Sequence, residues 1–246
     1  MQTITAKVET KLKKRPVDSA QLQPTEVLAV PVGKSYGVDS FEPAENGHVK
    51  VILAANSGVF YAFVQHWDGL VDGTQLITKQ QAEALFGNPI YDTELKDLNA
   101  CLKRYQINTP ARMRHFLSQI AHESGGLKWM KELASGDDYE GRSDLGNNQP
   151  GDGRRFKGAG VIQLTGRANY QAFAKEIGDP RIMEGCDYVA TNYPFTSAGF
   201  WWKNNDMNAL CDSGATVEQV TKRVNGGYNG LDDRIHYYEK ALKLIK

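Results

Sequence analysis

Cysteine is scarce: three copies in 246 residues, at positions 101, 186 and 211, with no Cys-x-x-Cys pair. That excludes a disulfide framework and the usual thiolate zinc or redox motif. Histidine is scarce too, and its five copies show no ligand spacing. His122-Glu123 lacks the second histidine of a helical His-Glu-x-x-His pair, because position 126 is glycine. No metal and no cofactor are therefore expected. Neither sign of charge is in excess, since 29 Lys and Arg balance 29 Asp and Glu. A phosphate-tracking surface would show as a basic surplus, so nucleic acid is not an expected partner. Long apolar runs are missing as well. Stretches such as 51–55 are far too short to cross a bilayer, so membrane insertion is not expected. The basic N-terminal residues, MQTITAKVETKLKKRP, are followed by no apolar segment, and no signal peptide is expected.

What is present reads as a globular chain of one large or two small domains, with 41% hydrophobic and 10% aromatic residues. The first part has the short β-branched and aromatic runs of strands: 27–30, 48–53 and 59–64. Asn56-Ser57-Gly58 lies between the last two, where residues tolerant of positive φ favour a hairpin. Pro24, Pro31 and Pro43 rule out a long helix, and a small open or closed β-barrel over residues 1–74 is expected. Asp72-Gly73-Thr74 reads as a connector.

From residue 76 to 246 the period turns helical. Helices are expected at 79–86, 93–105, from Pro110 to about 123, and at 165–177, 197–203, 216–224 and 232–245. Thr109 and Pro110 make a capped start for the third, whose apolar stripe is Met113, Phe116, Leu117 and Ile120. Residues 134–160 are rich in Gly, Asp and Asn and carry no period. A loop of that length is usually functional or disordered. For the thiols, a Cys186–Cys211 bridge stays open beside the favoured state of free, buried cysteines.

The third helix ends in His122-Glu123, which aims a carboxylate at the mouth of a turn, and Glu132 follows nine residues later. Two carboxylates facing one cleft can divide acid and base duties. Spacing alone does not separate this from solvated surface charge. Gln163, Thr165 and Asn169 surround a helix start, where amides and hydroxyls can grip sugar groups or hold a water. Thr165 is also a candidate helix cap.

The segments AHESGG (121–126), KELASGDDY (131–139), FKGAGVIQLTGRANY (156–170) and RVNGGYNGLDDR (223–234) resemble, in this order, the signature segments of glycoside hydrolase family 19. That family holds chitinases and phage endolysins. The resemblance covers roughly residues 76–246 and implies a mainly α, lysozyme-like catalytic domain. The first part resembles the bacterial SH3-like modules often attached to wall-acting enzymes. By position, the resemblance makes Glu123 the general acid and Glu132 the general base of an inverting endo-hydrolase of β-1,4-linked N-acetylglucosamine polymers. Thr165 matches the hydroxyl residue that holds the attacking water, and Asn225 the Asn that contacts the N-acetyl sugar and helps place that water. His122, Gln163, Asn169 and Arg234 match the acid's neighbour, two substrate-gripping positions and the Arg near the acidic pair. Tyr139 and Glu140 are placed along the cleft. The implied partner is a polysaccharide, chitin or peptidoglycan, met by a monomer. Synthesis in the cytoplasm and action on a wall or extracellular polymer after release or export are implied. One departure stands out: the family's Gly-Arg-Gly reads Gly158-Ala159-Gly160 here. It keeps a catalytically impaired, chitinase-like binding protein as the alternative, with Arg154, Arg155 or Lys157 as substitutes for the missing arginine.

Overall fold

The computed structural model describes residues 2–70 and 75–246, and the chain divides into two compact units, Met1–Gln80 and Gln81–Lys246. The connector read at Asp72-Gly73-Thr74 lies outside the described residues.

The first unit is an antiparallel sheet of β1 (Gln2–Ala6), β2 (Thr10–Lys13), β3 (Val27–Val30), β4 (Ser35–Pro43), β5 (His48–Leu53), β6 (Gly58–Phe63) and β7 (Trp67–Asp68). The order across the sheet is β3-β2-β6-β5-β4-β1-β7. It is not closed, which rules out the closed form of the expected barrel: β3 and β7 are its edges and do not pair among the described residues. β7 has two residues only, and Pro31 ends β3 with no N–H to extend a ladder. Along β5, Val49, Val51 and Leu53 turn into a core that also holds Ile4, Leu12, Val38 and Trp67. The β5–β6 ladder runs from His48↔Phe63 to Leu53↔Gly58. Its turn sits one residue earlier than Asn-Ser-Gly suggests, with Ala55 and Asn56 at φ 56° and 54°.

The second unit is helical: α1 (Lys79–Phe86), which begins at the division, α2 (Asp92–Arg104), α3 (Pro110–Glu123), α4 (Asp152–Arg155), α5 (Arg167–Ile177), α6 (Cys186–Asn192), α7 (Thr196–Asn204), α8 (Met207–Asp212), α9 (Val217–Asn225) and α10 (Leu231–Leu244). α3 starts as its sequence dictates, Thr109 accepting from the Arg112 amide at 3.3 Å. Its stripe of Met113, Phe116, Leu117 and Ile120 is buried, and Phe116 meets Trp202 of α7 edge-on at 5.2 Å. α9 and α10 pack on α3 and so bring their polar residues to its last turns. All three thiols are free and buried, so Cys186 and Cys211 do not pair.

Residues 134–160 are ordered by polar bonds instead of an apolar stripe. They form two 3-10 turns, Asp137–Tyr139 and Ser143–Leu145, and then α4. Asn147 donates to the Tyr139 carbonyl and accepts from the Arg167 amide, both at 2.8 Å. Arg167 forks onto Asp152 at 2.5 and 2.7 Å, tying α5 to α4. The Arg167 guanidinium holds the Asp152 carboxyl below the usual carboxylate range.

Candidate active site

Glu123 is the last residue of α3, one turn beyond Gln119 on the same face. The Arg234 guanidinium, from the first turn of α10, donates from Nη2 to Glu123 Oε1 and from Nη1 to Gln119 Oε1, each at 2.5 Å. Its Nε donates to the Asn229 carbonyl at 3.2 Å. Gln119 in turn donates to Thr221 Oγ1 of α9 at 3.2 Å. Arg234 and Gln119 have 0% and 1% exposure, so they act on the cleft only through Glu123. Among the described residues, Oε2 of Glu123 takes no hydrogen bond.

Glu132 is held by a second construction. Lys131 and Leu164 both bridge Ala159 in antiparallel fashion, and the Glu132 amide donates to the Gly158 carbonyl at 2.9 Å. The Gly158 amide donates back to Glu132 Oε2 at 2.9 Å, and the Tyr139 hydroxyl donates to Oε1 at 3.0 Å. Burial first, and then this bond to Glu132, raises the Tyr139 phenol. Gly158 allows the approach: a Cβ there would lie 3.0 Å from Glu132 Oε2 and 2.4 Å from Gln163 Oε1. That Gln163 oxygen is buried with no donor among the described residues, and its residue sits at φ 59°. Ala159 is fully buried between the two bridges.

The other residues singled out by sequence contact neither carboxylate through a hydrogen bond. Thr165 does not cap α5, whose N-cap is Gly166; its hydroxyl donates to the Gln163 carbonyl at 2.8 Å. Asn169 donates to the Thr165 carbonyl at 2.7 Å. Asn225, exposed at the end of α9, accepts from the Gly227 amide at 3.2 Å. His122 Nδ1 lies 2.7 Å from Asp233 Oδ2, and its ring packs on Gly230, where a Cβ would come within 2.0 Å. Glu140 accepts from the Gly151 and Gly153 amides and so braces α4. Arg154 pairs with Asp137, and Lys157 donates to the Ala134 carbonyl. Neither Arg154, Arg155 nor Lys157 hydrogen-bonds to Glu123 or Glu132 in the place of the missing arginine.

Sequence reasoning missed Gln119, Thr221 and Asn147. Gln119 carried a signal, being a polar residue four before Glu123 on an apolar face. Trp129 and Leu133, on either side of Glu132 in the chain, are 49% and 77% exposed.

No protein-family model matches the chain. A glycosyl hydrolase family 19 domain-containing protein of Haemophilus influenzae is 33% identical over 160 residues, a match spanning 52% of this chain and 76% of that protein. The chain belongs to glycoside hydrolase family 19. An endochitinase of Arabidopsis thaliana is 34% identical over 131 residues, where the match spans 50% of this chain but only 44% of the plant protein. Chitinase C of Streptomyces griseus superposes with a TM-score of 0.57 at 18% identity, over 84% of this chain and 93% of that one. A class IV family 19 chitinase of Zea mays gives 0.54 at 17% identity, over 69% and 92%. The family 19 fold accounts for the helical unit, mainly α and lysozyme-like.

Proposed function

We propose that this family 19 hydrolase cleaves β-1,4 bonds in N-acetylglucosamine polymers by a single, inverting displacement, with Glu123 as general acid and Glu132 as general base. The unequal seating of the two carboxylates carries the proposal. Glu123 is anchored through Oε1 alone, so Oε2 is left to carry a proton to the departing glycosidic oxygen. Glu132 receives a donor on each oxygen, which suits an ionised acceptor that takes a proton from water. As that water's oxygen bonds to the anomeric carbon, the glycosidic C–O bond breaks. One proton passes from Glu123 to the leaving hydroxyl, and one from the water to Glu132.

Thr165 and Asn225 are assigned to the water. The Thr165 hydroxyl spends its proton on the Gln163 carbonyl and keeps its lone pairs, while Asn225 keeps its amide N–H groups free of bonds among the described residues. Gln163, Asn169, Tyr139 and His122 are assigned to the sugar. Arg234, fully buried, positions Glu123. The open sheet is read as an SH3-like module that adds affinity for insoluble polymer.

The names of the relatives favour chitin, and a module of the wall-acting type favours peptidoglycan. Reducing-end release from colloidal chitin, compared with lysis of purified peptidoglycan, separates the two. Turnover of soluble chitin oligomers by the wild type and not by Glu123→Gln is expected. Binding without turnover by the wild type would identify a catalytically impaired binding protein and overturn the proposal.

A further inference from the structure

The sheet unit contains a cavity of about 830 Å³ lined wholly by its own residues, between β2, the segment 17–21, and the ends of β5 and β6. Its floor is built from polar groups of low exposure: Lys13 and Thr10 at 8% each and His48 at 3%. The Phe63 ring stands edge-on to His48 at 5.4 Å and to His66 at 5.0 Å, and Thr10 Oγ1 lies 2.9 Å from His66 Nδ1.

Lys13 is the unusual member. Its amine donates to the Val17 carbonyl at 2.9 Å and lies 3.1 Å from His48 Nε2. His48 Nδ1 is 2.9 Å from the Asn46 carbonyl, which needs a proton on Nδ1 and leaves Nε2 as the acceptor for the ammonium. Two of the three ammonium N–H bonds are thus used, and no carboxylate hydrogen-bonds to the amine among the described residues. A buried ammonium with no carboxylate bonded to it is costly, and burial draws the Lys13 amine down from its usual range against the opposing pull of the Asp18 charge. The carboxylates lining this cavity, Glu9 and Asp18, are both exposed, and Asp18 Oδ1 is spent on the Ala20 amide. Cation at the floor, anions at the rim: the polarity is that of a receptor for the opposite dipole.

We propose that this cavity binds a ligand with a free carboxylate and a nearby amino group, an amino acid or short peptide, the carboxylate at Lys13 and the amine toward Glu9 and Asp18. A phosphate dianion has the right charge for Lys13, but the two rim carboxylates repel it. The volume lies in the range of small-ligand pockets, with few convergent polar groups on an aromatic wall. The proposal is independent of the polymer that the helical unit cleaves.

The test is a titration of the full chain, followed by NMR of the Lys13 side chain and the His48 and His66 rings. The probes are trialanine, N-acetyl-trialanine, trialanine amide and inorganic phosphate. Trialanine should shift these resonances, and removing the carboxylate as the amide should weaken binding about tenfold or more, the worth of a charged hydrogen bond. Acetylating the amine should weaken it by less. Lys13→Met should lose the same factor as the amide does. Equal binding of trialanine and its amide, tighter binding of phosphate, or unmoved Lys13 and His48 signals at saturating trialanine would overturn the proposal. The comparison of trialanine with its amide uses wild-type protein, so it stands whether or not Lys13→Met folds.

Discussion

At the scale of the residue, the account turns on how one guanidinium serves two acceptors. Arg234 divides its terminal nitrogens between Gln119 and Glu123. Replacing it with Met leaves a buried amide oxygen and a part-exposed carboxylate without their donor. A fully buried pair broken in this way costs about 3–5 kcal/mol, and the exposure of Glu123 reduces that to roughly 2–3 kcal/mol. Thermal or urea unfolding of Arg234→Met measures it. Glu123→Gln keeps an oxygen acceptor for Arg234 but leaves its buried charge without a counterion, so it should cost about 1–2 kcal/mol of stability, while turnover falls about 10²–10⁴-fold because an amide has no proton to give. Retention of more than a tenth of wild-type turnover would remove Glu123 from the acid's role. Tyr139→Phe withdraws one of two donors from Glu132, with an expected loss of about five- to tenfold in kcat, and it raises KM as well through the contact with the sugar assigned to the phenol.

Helix and loop ends carry the next set of consequences. Asp97, inside α2, accepts from the Phe195 and Thr196 amides and the Thr196 hydroxyl, and so holds the start of α7. Burial pushes its carboxyl up from 3.8 to about 6, against the pull of those donors. The folded chain therefore keeps a proton there that the unfolded chain has lost, so stability falls as pH rises from about 4 to about 6 and levels off above. The contribution is at most about 3 kcal/mol. Urea titrations across that window should show it, and Asp97→Asn should flatten that part of the profile. The start of α7 was legible to within one residue, but its cap was not, because the cap comes from a carboxylate 98 residues away. α3, by contrast, was readable to its last residue, since Thr109, Pro110 and an unbroken stripe all lie within it. Thr165 looked like a cap because threonine suits one, yet Gly166 takes the position at φ 93° and the hydroxyl bonds the Gln163 carbonyl instead. β2 is hard to see in the sequence because Leu12 is the one apolar residue among Thr10–Lys13. β4 was hidden by Gly37 and by the register shift between Val38 and Ser40.

For the whole molecule, the motif resemblance placed Arg234 near the acidic pair and the structure has it donate to Glu123, whereas Gln119, the guanidinium's other acceptor, lay outside every motif. Arg234 lies 111 residues from Glu123, and only the packing of α10 on α3 brings the two together. A chain of residues 76–246 is expected to fold and to cleave short soluble oligomers, losing affinity mainly for insoluble polymer. Loss of activity on short oligomers would instead make the sheet unit part of the active site. The central claim is that Glu132 activates water and does not attack the sugar. Proton NMR of the first product released from a chitin oligomer, recorded before mutarotation, tests it most directly. A new reducing end formed as the α-anomer is predicted, and an initial β-anomer would contradict the account.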